Sequence, residues 1–164
     1  RSVSWRWPGS DRQRDGRRTL ALLLPLGGNA WALCEGGSPN LTLAQEMREA
    51  RFVVIARPQT FMHVQDLAEA PDGYVATRVR LKVDEVLYGK APAEVTAKGG
   101  LLDIVEPNTS ARFGLDERDV GKPYLLFVYE GEDGNWISAC GHSGELARNR
   151  ATLRQVRGIA AGRR

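Results

Sequence analysis

The sequence is poor in the residues from which catalytic and metal centres are usually built. It holds two cysteines and two histidines. Two thiols are too few for a four-thiolate zinc site or a disulfide-dense mini-protein. His63 and His142 are far apart in the chain, so no histidine pair at helical spacing is present to ligate a metal. Phosphate-binding and dinucleotide-binding glycine motifs are missing as well, and no cofactor is implied. Aromatic residues make up 7% of the chain, little from which to build the stacking platforms of single-strand nucleic-acid binders. No apolar run reaches the ~18 residues of a bilayer-spanning helix. What is there is an ordinary globular composition, 42% apolar and 26% charged over 164 residues, which fits one domain better than two.

The net charge of +3 is unevenly placed. Residues 1–32 carry six arginines against two aspartates, and residues 33–164 are left at −1. A basic field drives phosphate-backbone binding, and the body of the chain lacks one, which excludes nucleic acid as the expected partner. Within the basic segment, Arg17-Arg18-Thr19 flanks an apolar stretch from Leu20 to Leu26, and Ala30-Trp31-Ala32 places small residues before Leu33. That is the three-part layout of a secretory signal. It predicts a Sec-type signal peptide over 17–32, cleavage between Ala32 and Leu33, and a secreted or periplasmic mature protein. The first methionine is Met47, so 1–16 are read as an upstream segment of uncertain status. Residues 33–164 are the expected single domain.

Along that domain, residues 33–39 are glycine-rich and loop-like. Thr42 and Gln45 form a capping-box pattern that opens a short helix ending near Ala50 or Arg51. Phe52–Ala56 is a β-branched run expected to stop near Pro58, with a weaker strand over 60–67. From Tyr74 to Tyr88, Val75, Thr77, Val79, Leu81 and Val83 alternate with Arg78, Arg80, Lys82 and Asp84. This is the period of a strand with one buried and one wet face. The alternation slips at Asp84-Glu85, the signature of a β-bulge. A further strand is expected over 93–97 with Val95 inward, then a polar connection over 105–121. A central strand follows over 123–129, then a hairpin into 136–140. A final helix is expected from Glu145 to about Ala161, capped by Ser143, with Leu146, Leu153, Val156 and Ile159 on one stripe.

Catalytic readings are thin. Gly141-His142-Ser143-Gly144 approaches a nucleophile elbow, but the second glycine falls one place early. Asp84 and Glu85 are adjacent on a strand and so face opposite ways. An enzyme would have to use His142, Ser143 or a free Cys34 as its reacting group. In an oxidising compartment Cys34 and Cys140 are instead expected to pair. Closing a loop of roughly 100 residues in this way is worth about 4.7 kcal/mol on the chain-entropy estimate. The competing reading is a free nucleophilic or metal-binding thiol.

Several features together resemble the tissue-inhibitor-of-metalloproteinase/netrin-module family in a divergent bacterial secreted form. They are Cys34 near the mature start, a helix feeding Ala50-Arg51-Phe52-Val53-Val54-Ile55-Ala56, and a long strand ending Val83-Asp84-Glu85-Val86-Leu87-Tyr88-Gly89-Lys90. Next come Val120-Gly121-Lys122-Pro123-Tyr124-Leu125-Leu126-Phe127 and then Cys140 before a helix. The resemblance implies a mainly β fold, a five-stranded OB-type Greek-key barrel with a short N-terminal and a C-terminal helix. It also implies a non-catalytic binding role, with metalloprotease inhibition as its narrower form. The expected partner is an extracytoplasmic protein, a protease or an envelope component. Leu33 precedes Cys34 and no C-x-C follows, so no zinc-contacting residue carries over, and no metal site is expected. The candidate binding surfaces are the segment Cys34, Glu35, Gly36, Gly37 and Pro39, and the 105–121 connection, since loops on a rigid scaffold commonly carry binding.

Overall fold

The computed structural model describes residues 41–65, 73–109 and 112–162. Its order is α1 (Leu43–Glu49), β1 (Phe52–Val64), β2 (Ala76–Gly89), α2 (Ala93–Thr96), β3 (Leu101–Pro107), a 3₁₀ turn (Glu117–Asp119), β4 (Tyr124–Gly131), β5 (Gly134–Ile137), β6 (Gly144–Glu145) and α3 (Arg150–Ala161). Strands run β1-β2-β3-β5-β4, and β4 pairs back onto β1 to close the ring. This is the mainly β, five-stranded barrel that the resemblance implies. The β3–β5 seam is the thin one, a parallel pairing of Ile104 with Asn135. The two-residue β6 continues the edge of β4 beyond β5.

Thr42 caps α1 as expected, with its backbone N–H donating to Gln45 Oε1 at 2.9 Å and its hydroxyl accepting from Gln45 N–H. The long β1 differs from expectation, because it does not stop at Pro58. Proline cannot donate to a ladder and is tolerated in strands at bulges and edges. Here the β1–β2 register shifts between Pro58 and Thr60, and the β4 pairing has already ended at Ala56. Two more shifts, opposite Leu87 and Asp84, account for the slip read at Asp84-Glu85. They bend β2 so that Val86 packs toward the barrel interior while Leu87 packs against the helices.

The strand expected over 93–97 is instead the single helical turn α2. Val95 is buried as foreseen, but it packs into the barrel core from a helical turn rather than from a ladder. One alternation in Ala93-Glu94-Val95-Thr96 fits a helical turn as well as a strand, and Pro92 and Ala93 favour the turn. The turn ends at Ala97, and at Gly100 beyond it a Cβ would lie 2.3 Å from the Val95 carbonyl oxygen. The true third strand, Leu101–Pro107, takes in the start of the segment expected to be loop.

Two apolar layers result. Phe52, Val54, Val79, Leu81, Ile104, Leu126 and Val128 fill the barrel. Val53, Ile55, Leu125 and Phe127, the alternate residues of β1 and β4, meet Met47 of α1 and Val156 of α3 outside it. Burial on both faces explains the unbroken apolar runs in β1 and β4. The expected stripe of Leu146, Leu153, Val156 and Ile159 lies on this outer layer. The helix itself begins only at Arg150, with Asn149 at its cap position, so Ser143 is not its cap. Ser143 Oγ accepts the Phe127 backbone N–H at 2.9 Å instead, and Gly144-Glu145 pairs with β4.

Candidate functional site

Two buried carboxylates stand out, and they do different work. Glu46, on α1, is 1% exposed among apolar side chains. A buried charge persists only when its oxygens are hydrogen-bonded. The His142 backbone N–H donates to Oε2 at 2.8 Å and to Oε1 at 3.1 Å, and His142 Nδ1 also contacts Oε2. The Tyr129 phenol lies near the same carboxylate, and burial followed by the Glu46 and Glu49 charges pushes it above its ordinary range. Asn149 Nδ2 donates to the His142 carbonyl at 2.6 Å. The pair is a clasp joining α1, β4, the 138–149 turn and the start of α3. His142 and Ser143 are both engaged in it or beside it.

Glu106 lies at the opposite end of its own strand's logic. Along β3, Leu102, Ile104 and Glu106 face the interior, so the third member of an apolar row is an acid. Its cross-strand neighbour on β2 is Thr77, which in turn sits opposite His63 on β1. His63 Nδ1 is 3.3 Å from the Thr77 hydroxyl and its ring stacks on Tyr74 at 4.1 Å. A polar row therefore crosses three strands at this mouth of the barrel. Glu106 is 4% exposed, and its Oε1 has no hydrogen-bond partner among the described residues. Burial pushes its carboxyl above the usual range. The backbone N–H groups of Leu115 and Gly114 and the charge of Arg112 offset part of that rise.

Glu106 also lines an open groove of about 980 Å³ where β3 and β5 part beyond their single bridge. Val105, Phe113, Trp136 and Ile137 give it apolar walls; Arg78, Arg112, Glu132 and Asp133 supply charge. Trp136 is 40% exposed and stacks on Tyr129 at 4.6 Å, so one aromatic pair separates the groove from the Glu46 clasp.

The sequence-predicted residues divide between these places. Ala30, Ala32, Leu33, Cys34, Glu35, Gly36, Gly37 and Pro39 lie outside the described residues. Cys140 lines the groove and does not stand as a free thiol. Of the 105–121 connection, Val105, Glu106, Pro107, Arg112 and Phe113 reach the groove. Asp84 and Glu85 do face apart, the first to Arg57 at 2.7 Å and the second to Arg157 at 2.7 Å. On the basic face of β2, Arg80 is taken by Asp103 in a two-point contact at 2.8 and 2.9 Å. Glu106 and Trp136 were not picked out by sequence reasoning. The alternation Leu102, Ile104, Glu106 would have exposed the first had 101–107 been read as a strand. Comparison with known proteins finds no matching family model and no matching curated relative.

Proposed function

We propose that this chain is an exported, non-catalytic binding module of the tissue-inhibitor/netrin type, and that it binds through the groove between β3 and β5. The observation that carries the reading is Glu106: a carboxylate oxygen buried at a groove wall with no partner costs stability, and a ligand that supplies the partner recovers it. Apolar walls with a few placed polar groups are the usual make-up of a binding site. Catalysis is the weaker reading because His142 and Ser143 hold backbone together rather than facing an open site. The pairing of Arg80 with Asp103 supports a partner other than nucleic acid.

The second part of the reading is the bridge. Cys140 has no free thiol and Cys34 is the only other cysteine, so we take them as partners.

The test is a photoreactive residue placed at Trp136, compared with one at Lys82 on the β2 face, in protein recovered from the exported fraction. A discrete adduct from position 136 alone is the expected result. Equal labelling from both positions, or none from 136, would remove the groove as the binding surface.

A further inference from the structure

The groove's chemistry narrows what it can hold. Its titratable groups are Arg78, Arg112, Glu106, Glu132 and Asp133, two guanidiniums and three carboxyls. The carboxylates are not equivalent. Glu132 and Asp133 belong to the exposed β4–β5 turn, where water satisfies them. Glu106 is buried, has the backbone N–H groups of Leu115 and Gly114 nearby, and has one oxygen without a donor. Arg112 acts on it through charge without donating to Oε1. Val105, Phe113, Trp136 and Ile137 flank the approach and suit a short alkyl stem, with the exposed Trp136 face able to pack along it or against a cation.

We propose that the groove binds the ammonium or guanidinium end of a lysine or arginine side chain presented by an extended segment of the partner, with Glu106 as its acceptor and Trp136 along its stem. The inference rests on the reading of the groove as the binding surface. A donor at Oε1 satisfies the orphan oxygen, and a charged donor also holds the carboxyl ionised, which makes a charge-assisted hydrogen bond of the stronger kind.

The experiment uses the exported, oxidised protein and three probes of similar length: n-hexylammonium, n-butylguanidinium and n-hexanol. Binding is followed by amide and indole shifts in proton–nitrogen correlation spectra. Both cations should saturate, with shifts centred on Val105, Glu106, Gly114 and the Trp136 indole. Hexanol should bind about tenfold or more weaker, the effect of one charge-assisted hydrogen bond. Glu106→Gln should bring hexylammonium down to the hexanol level, and Trp136→Ala should weaken all three. Hexanol binding as well as hexylammonium, or Glu106→Gln keeping the cation preference, overturns the proposal while leaving the groove a binding surface. No localised shift with any probe overturns both. The comparison of probes on the unsubstituted protein needs no variant to fold.

Discussion

Gly141 is where the structure makes its sharpest demand on the sequence. A Cβ built there would lie 2.1 Å from Glu46 Oε1 and 3.1 Å from its Cδ. The obstructing atoms end a side chain that is 1% exposed and fixed by His142. Gly141→Ala must therefore displace the carboxylate from its donors. Overpacking of this sort costs about 1–3 kcal/mol, and the loosened hydrogen bonds place it at the upper end, about 3 kcal/mol. Glu46→Ala removes the acceptor of the His142 N–H and leaves that buried donor unpaired, at about 3 kcal/mol. The two losses share one cause, so the double variant should be no less stable than Glu46→Ala alone within about 0.5 kcal/mol. Urea unfolding of the oxidised protein reads this directly: with a slope of about 2 kcal/mol per molar, 3 kcal/mol moves the midpoint by about 1.5 M. A near-native midpoint for Gly141→Ala, or fully additive losses, would refute the clasp.

Glu106 makes the opposite prediction. Burial raises its pKa above the ordinary 4.5, so the folded state keeps a proton that the unfolded chain releases. Stability then falls as pH rises from about the unfolded value through the raised one. Glu106→Gln should be more stable than the native protein at neutral pH, with the difference vanishing below about pH 4; a less stable variant at pH 7 would mean that Glu106 holds the fold together. Ser143→Ala should cost about 1–2 kcal/mol by stranding the Phe127 N–H, and a melting temperature equal to that of the native protein would contradict that role. Reduction of Cys140's bond should lower stability by up to about 4.7 kcal/mol if it closes the long loop to Cys34; an unchanged urea midpoint in reductant argues against that closure. Arg157→Ala breaks a half-exposed pair with Glu85 and should cost no more than about 1 kcal/mol.

The barrel was legible in the sequence wherever one physical rule acted alone. Thr42 and Gln45 announce a cap because both donors of the box are local. The β2 alternation and its slip at Asp84-Glu85 are visible because one face is wet. The unbroken run from Tyr124 to Val128 reads as a strand covered on both faces, which α1 and α3 supply. Errors fell where tertiary context decides. Pro58 looks like a stop until the bulge beside it, at Gln59, is known. Val95 is inward in either a strand or a helical turn, so burial alone could not choose. Leu101–Pro107 was hidden because the polar connection was read from Val105 onward, with Glu106 near its start; Glu106 is instead buried at the groove. Ser143 has the look of a helix cap, but its acceptor is used by a strand sixteen residues away. The candidate site was half legible: the 105–121 segment pointed to the right region, while the acid that gives it chemistry sat in the strand that was missed.

The proposed function requires an exported, oxidised domain. Intact mass of protein from the exported fraction, alkylated before and after reduction, tests this most directly. A chain beginning at Leu33, with no alkylatable thiol until reductant is added and two afterwards, is the expected result. An uncleaved chain, or one whose Cys34 and Cys140 both alkylate without reduction, would contradict it.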